Sequence, residues 1–87
     1  MRKLKQAEKE LLTACQKNGY RYIARDKNEE IWVFKSKPVK SEKFYVWINE
    51  DIHYDYVLIN HQLKDIVLRW EDEEPTLIAN LLEEDKQ

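Results

Sequence analysis

Glycine, cysteine and long apolar segments are scarce in this chain of 87 residues. The single glycine, Gly19, argues against a glycine-rich loop that cradles phosphate groups. The single cysteine, Cys15, rules out an internal disulfide. No stretch approaches the about 18 apolar residues of a membrane span, and the first residues lack the apolar region of a signal peptide. The sequence therefore predicts a cytoplasmic protein with no membrane partner.

Large apolar and aromatic side chains are plentiful. Apolar residues make up 43% of the chain and aromatic residues 11%, which is enough to close a core without disulfides. Charged residues reach 37%, but the net charge is only −2, so the composition is not that of a disordered chain. Because domains usually have about 100–150 residues, we expect residues 1–87 to form a single domain.

The charges are distributed unevenly along the chain. Residues 1–27 carry eight Lys or Arg against three acids, whereas residues 45–87 carry three against eleven. Residues 28–44, with four against three, are nearly balanced. Such a chain can pair its own two parts, offer its basic part to phosphates, or offer its acidic part to a basic partner.

The first segment is predicted to be an amphipathic helix. Its apolar stripe recurs at steps of three and four residues: Leu4, Ala7, Leu11, Ala14 and Cys15. We place Leu12 at the edge of this stripe. Gly19 follows the pattern at a position where a positive φ angle is favoured. The helix should therefore end near Lys17 or Asn18.

Two β-prone runs follow, separated by the polar stretch DKNEE. Residues 20–25 and 31–34 alternate in the manner of an antiparallel hairpin. The second run is apolar on both faces, which predicts a central strand that is covered on both sides. The first helix can cover only one side. The second cover is then the C-terminal segment or a second subunit, and the latter hypothesis predicts a homodimer.

The next segment is predicted to continue the sheet. We expect Pro38 to end the second strand, residues 39–43 to be a polar connection, and residues 44–49 (FYVWIN) to form a third strand. Beyond it, Tyr54, Tyr56 and Leu58 alternate like a strand. Two further expectations are a helical turn capped by Asn60 and a last strand at residues 65–70 (DIVLRW).

The C-terminal segment is predicted to be a short helix over residues 75–83. One helical face collects the apolar side chains Leu77, Ile78, Leu81 and Leu82, and Pro75 would stand in the first turn, where proline is favoured. Acids just before a helix are each stabilised by about 0.3–1 kcal/mol. Helix initiation alone thus explains much of the acidic run before Pro75, but it does not require four acids in succession.

These elements predict an α+β fold. We expect the N-terminal helix to pack on a three- to four-stranded antiparallel sheet, with the short C-terminal helix closing an edge or a face. The large side chains expected in the core are Trp32, Phe34, Trp47 and Trp70.

Both ends of the chain resemble a group of small accessory proteins encoded by phages and prophages of Gram-positive bacteria. The resemblance covers residues 7–38 and 66–82, and its most specific pieces are YIARDK and WEDEEPTLI. It does not extend over residues 39–65. Because that group has no assigned reaction, the resemblance implies a source but no mechanism and no catalytic residue.

No cofactor or catalytic motif is present in the sequence. Asp51, His53 and Asp55 would share one side of a strand, and with His61 they are a weak candidate for a metal site against the simpler interpretation of ordinary surface groups. Cys15 lies on the apolar stripe, where a thiol behaves as a small buried hydrophobic group. A cysteine nucleophile also needs a base and an oxyanion site. We therefore expect neither an enzyme nor a bound cofactor or metal.

Two charged surfaces are candidates for binding. The acidic candidates, with further acids at residues 83–85, are Glu71, Asp72, Glu73 and Glu74. They imitate phosphate charge and predict binding to a basic groove of a host protein, a mode of interference common among phage accessory proteins. The alternative is nucleic-acid binding by Lys17, Arg21, Arg25 and Lys27, although the sequence pI is about 5.7. An ordinary solvated surface accounts for either set without a partner.

Overall fold

The computed structural model describes residues 4–49, 56–58, 63 and 66–85. These form two helices and six strands, in the order α1 (Gln6–Lys17), β1 (Tyr22–Arg25), β2 (Ile31–Phe34), β3 (Val39–Ser41), β4 (Val46–Ile48), β5 (Tyr56–Leu58), β6 (Thr76–Leu77) and α2 (Ile78–Asp85). Four strands build an antiparallel sheet in the order β5-β2-β1-β6, and β3 and β4 form a separate antiparallel pair. The predicted α+β fold is confirmed.

Helix α1 ends where the sequence predicts. Gly19 has a φ of 91°, and its N–H donates to the Gln16 carbonyl at 3.1 Å. The N–H of Tyr20 donates to the Cys15 carbonyl at 3.0 Å. This pair of bonds closes the helix in the Schellman arrangement, which satisfies carbonyls that the helix itself leaves without donors.

The buried face of α1 differs from the predicted stripe. Leu12, predicted at the edge, is fully buried and packs in the core with Ile23 and Val33, whereas Ala7 and Ala14 are exposed. The prediction was wrong because a periodic pattern of apolar residues treats alanine and leucine alike. A leucine buries far more apolar area, so the helix turns its larger side chains toward the sheet.

The predicted β1–β2 hairpin is confirmed. Ile23 faces Val33 and Ala24 faces Trp32 across the pair. In the turn, the N–H of Asp26 donates to the Glu30 carbonyl at 2.8 Å. The register sends alternate residues to opposite faces of the sheet, and this determines what each face of β2 packs against.

Strand β2 is central in the sheet, as predicted, between β5 and β1. One face of the β1–β2 pair packs with residues of α1 and α2. On the other face, Phe34 packs with Trp47 of β4, and the half-buried Trp32 and Trp70 pack against them. One chain therefore covers both faces of this pair, and no second subunit is needed to cover β2.

Two expectations for residues 39–49 were wrong. The predicted polar connection contains β3, and the predicted third strand is shortened to β4, which pairs with β3 rather than with the main sheet. Lys40 and Trp47 are register partners, and Trp47 is buried while Ile48 is exposed. The small pair thus lies across the sheet as a second layer. The alternation of apolar and polar residues within a strand does not show whether that strand joins the main sheet or packs on it as a second layer.

The prediction of a last strand at residues 65–70 was also wrong. The described residues 66–70 have no strand, although Ile66 and Leu68 are buried in the core. The Arg25 guanidinium supplies hydrogen bonds in place of a strand partner, because its Nη2 donates to the carbonyls of Leu63 at 3.5 Å and Ile66 at 3.3 Å. In the preceding segment, β5 agrees with the predicted alternation, while the proposed cap Asn60 and the first residue of that alternation, Tyr54, lie outside the described residues.

The C-terminal helix begins later than predicted. Thr76 and Leu77 form β6, an edge strand that pairs with Ile23 and Tyr22 of β1. Helix α2 therefore starts at Ile78 rather than in the turn that follows Pro75. Pairing with the open edge of β1 satisfies backbone groups that a longer helix would have taken.

Candidate functional site

The acidic residues form a turn instead of a helix start. We call residues 69–74 the acidic turn. The N–H of Asp72 donates to the Arg69 carbonyl at 3.2 Å, and the Arg69 N–H donates to Asp72 Oδ2 at 3.1 Å. Because α2 begins only at Ile78, the prediction that these acids initiate a helix was wrong.

Trp70 fixes the acidic turn to the body of the protein. Its ring meets Trp47 edge to face, with centroids 6.3 Å apart and planes at 76°. The Lys40 ammonium lies over both rings, 4.5 Å from the Trp70 centroid and 5.2 Å from that of Trp47. It also donates to the Trp70 carbonyl. These contacts restrict the turn, since cation–π and aromatic contacts each stabilise by about 0.5–1.5 kcal/mol.

The acidic side chains face solvent. Glu71, Glu73 and Glu74 are exposed, whereas Asp72 is half-buried because it closes the turn. Glu71 pairs with Arg69 at 3.6 Å and Glu74 with Lys37 at 3.2 Å, and all four of these side chains are more than half exposed. Such exposed pairs stabilise by about 1 kcal/mol or less, so a partner can replace them at little cost.

A cleft of about 350 Å³ separates the acidic turn from the turn between β1 and β2. Residues 66–71, among them Val67 and Trp70, line one wall of this cleft. Charged residues of both signs surround it: Arg25, Asp26, Lys27, Glu29, Arg69 and Glu71. The mixture provides no single-sign pocket for a small anion or cation. Glu73 and Glu74 do not line the cleft and form an acidic surface outside it.

Asp26 is a buried acid at the junction of the two sheets, and no pattern in the sequence singled it out. It is 3% exposed, and its Oδ1 accepts the Trp47 N–H at 2.8 Å. Burial is the main cause that raises the pKa of Asp26, to about 6. Since it joins β4 to the hairpin, a structural role explains its burial.

The basic candidates are divided between two places. Lys17 ends α1 and Arg21 precedes β1, whereas Arg25 ends β1 and Lys27 lies in the following turn. At about 3.3 Å per strand residue, Arg21 and Arg25 are about 13 Å apart along the chain. The Arg25 guanidinium is also engaged with main-chain carbonyls. The four side chains therefore do not make one continuous basic surface.

Two exposed aromatic residues were not among the sequence candidates. Phe44 and Tyr45, in the turn between β3 and β4, are 65% and 51% exposed. The Lys43 ammonium lies 5.3 Å from the Phe44 ring centroid, and the Lys27 ammonium lies 4.3 Å from that of Tyr45. We call these four residues the aromatic tip. The sequence did not reveal the tip, because both rings lie in a run that predicts a strand.

Cys15 is buried, and burial raises the pKa of its thiol. Both effects suppress the thiolate, which is the reactive form. We therefore expect the native protein to react with a thiol reagent such as DTNB at pH 8 at least about 100-fold more slowly than the denatured chain. The absorbance of the thiolate that DTNB releases measures both rates. Comparable rates would contradict the buried position.

The remaining candidates concern metals and membranes. Asp51, His53, Asp55 and His61, the weak metal candidates, lie outside the described residues. Within the described part of the chain, no group of three His, Cys, Asp or Glu side chains is arranged to hold a metal ion. None of the helices described is long and apolar enough to cross a membrane.

Comparisons of the chain with protein families, curated proteins and solved structures find no match. Its function must therefore be inferred from the arrangement of its own residues. Two surfaces stand out by exposure and charge, the acidic turn and the aromatic tip.

Proposed function

We propose that this protein is a small non-catalytic binding protein whose acidic turn contacts a basic surface of a partner protein. The observation that carries this proposal is the rigid support of the turn. Trp70 and Asp72 hold the backbone, while Glu71, Glu73 and Glu74 remain exposed. A surface held in one conformation loses little entropy when it binds.

Charge is expected to govern both the rate and the salt dependence of binding. Acids concentrated on one turn attract a basic groove before contact and exclude acidic surfaces. Because the acids are exposed, salt screens this attraction over a Debye length of about 8–10 Å. The partner that fits is a protein with a cationic groove, such as one that accepts phosphate groups.

The biological setting follows from the resemblance of the two ends of the chain to phage and prophage accessory proteins. Residues 66–82 include the whole acidic turn. We accordingly propose a host protein as the partner, in the cytoplasm of a Gram-positive bacterium. This source remains a prediction, because no compared protein matches the chain.

Reversal of two charges on the acidic turn should abolish partner binding. The variant Glu71→Lys with Glu73→Lys leaves Asp72 to close the turn and Glu74 to pair with Lys37. We expect at least a tenfold loss of affinity with the same melting temperature to within about 3 °C. Stoichiometric recovery from a nuclease-treated lysate identifies the partner, and titration with that purified protein measures the affinity.

The matched control is Glu10→Lys with Glu42→Lys, which changes the net charge equally at exposed acids in α1 and in the β3–β4 turn. It should bind the partner like the parent protein. Equal losses of affinity in both variants would show that only net charge matters. Unchanged affinity of the turn variant would exclude the acidic turn as the binding surface. Recovery of nucleic acid alone, removed by nuclease, would contradict the protein-binding function and favour nucleic-acid binding.

A further inference from the structure

The outer face of the β3–β4 pair is apolar and exposed. Val39 and Ile48 are register partners and are 41% and 42% exposed. Phe44 and Tyr45, in the turn that joins the two strands, are more than half exposed. Trp47, by contrast, points to the opposite side and is buried. The pair thus packs one face on the core and leaves the other face, and the aromatic tip at its turn, exposed to solvent.

Lysine residues surround this apolar surface with positive charge. Residues 35–48 carry four lysines and a single acid, Glu42, within a protein whose net charge is −2. Lys27 and Lys43 lie over the Tyr45 and Phe44 rings. The adjoining β1–β2 turn carries two acids, Glu29 and Glu30, which reduce the local positive charge. Positive charge beside flat apolar side chains is complementary to a flexible anionic chain that carries aromatic groups.

The backbone at Tyr45 is strained. Its φ is 60°, in the left-handed region that costs a residue with a Cβ atom about 1–2 kcal/mol. Glycine or asparagine would suit that position better. Burial of the ring does not offset this strain, because the side chain is half exposed. A strained, exposed aromatic residue at a turn is an indication of function.

From these observations we propose that the aromatic tip binds single-stranded nucleic acid. Bases stack on the exposed sides of Phe44 and Tyr45, and Lys27 and Lys43 contact the phosphates that flank the stacked bases. Duplex nucleic acid fits poorly, because its bases are already stacked and turned inward. This surface shares no residue with the acidic turn, although Lys27 and Glu71 line the same cleft, so its failure would leave the proposed protein-binding function untouched.

The first test measures the binding of fluorescein-labelled single strands of about 15 nucleotides by anisotropy at about 50 mM salt. DNA, RNA and a duplex of the same sequence are compared. We expect the parent protein to bind the single strands and to bind the duplex at least tenfold more weakly. Affinity should fall steeply as salt is raised.

The decisive variant is Phe44→Ser with Tyr45→Gly. It removes both rings, and glycine accepts the φ of 60° without strain, so the fold should be kept and the melting temperature unchanged or raised. Loss of two stacking side chains should weaken binding at least tenfold. The control, Val67→Ser, removes an apolar side chain that is 58% exposed in the wall of the cleft and should bind like the parent protein.

Charge variants separate the two basic regions. Lys27→Gln with Lys43→Gln should weaken binding and reduce the salt slope by about 1.4, the value for two phosphate contacts with a single strand. Lys17→Gln with Arg21→Gln removes the same charge at the other end of β1 and should have little effect. A larger loss from the Lys17 and Arg21 variant would overturn the assignment to the tip.

Two further results would also overturn it. One is the absence of binding to any single strand at tens of micromolar protein under the low-salt condition. The other is a parent protein that is dimeric by light scattering and becomes monomeric when Phe44 and Tyr45 are replaced, which would assign the surface to a second copy of the chain. Single-strand binding that depends on both rings, by a folded protein, would establish the site.

Discussion

Leu12→Ala is expected to lower the free energy of unfolding by about 3 kcal/mol, within the usual range for a buried leucine. Leu12 is fully buried and packs with Ile23, Val33 and Ile78, where the helices meet the sheet. The substitution removes apolar area and leaves a cavity that these rigidly placed neighbours cannot fill. Urea denaturation followed by circular dichroism measures the change.

The control for this prediction is Leu11→Ala, at the adjacent position of α1. Leu11 is half-buried and lies at the margin of the same core, so its substitution should cost about 1 kcal/mol or less. This order is the reverse of that predicted from periodicity, which put Leu11 in the stripe and Leu12 at its edge. A larger loss at Leu11 than at Leu12 would mean that α1 is rotated relative to the sheet.

Asp26→Asn is expected to change the pH dependence of stability. Burial raises the pKa of Asp26 from 3.8 to about 6 in the folded protein, so the folded state keeps this proton at pH values where the unfolded chain has released it. Stability contributed by this group therefore falls as the pH rises from about 4 to 6. Asparagine cannot ionise and should remove that fall.

We expect the stability of Asp26→Asn relative to the parent protein to increase by about 1–2 kcal/mol between pH 4 and 7. A shift of this size corresponds at most to about 3 kcal/mol, and water in the adjoining cleft screens part of it. Urea denaturation at a series of pH values measures the difference. The control Glu42→Gln, at an exposed acid, should show no such increase, and a relative stability of Asp26→Asn that is flat with pH would contradict the raised pKa.

Asp26→Ala separates the hydrogen bonds from the charge. It leaves the N–H of Trp47 without the carboxylate that accepts it, whereas asparagine retains an acceptor oxygen. At pH 5 we expect alanine to be less stable than asparagine by about 1–3 kcal/mol, the cost of an unsatisfied buried donor. Equal stability of the two variants would show that Asp26 does not join the sheets.

Local signals in the sequence predicted the elements that depend on local chemistry. Gly19 ends α1 because a positive φ favours glycine wherever the rest of the chain lies. The β1–β2 hairpin and the central position of β2 followed from alternation and from apolar residues on both faces of one strand. These patterns depend on residues close in sequence, so no distant contact was needed to recognise them.

The candidate site was only partly visible from sequence. The acids at residues 71–74 were recognised by their charge, but their support by Trp70 and Lys40 joins segments about thirty residues apart. Phe44 and Tyr45 were assigned to a strand because aromatic residues are common in strands. Their exposure depends on β4 leaving the main sheet, which no local pattern signals.

The sequence by itself determined a folded α+β chain with its helix boundary, its first hairpin and its separation of basic and acidic parts. The tertiary structure decided which side of α1 is buried, that β3 and β4 form a second layer, and that β6 takes the place of the first turn of a helix. Burial and strand pairing depend on the contact areas and hydrogen bonds available between distant segments. Those quantities exist only when the chain is folded, which is why Asp26 and the aromatic tip emerged from the structure alone.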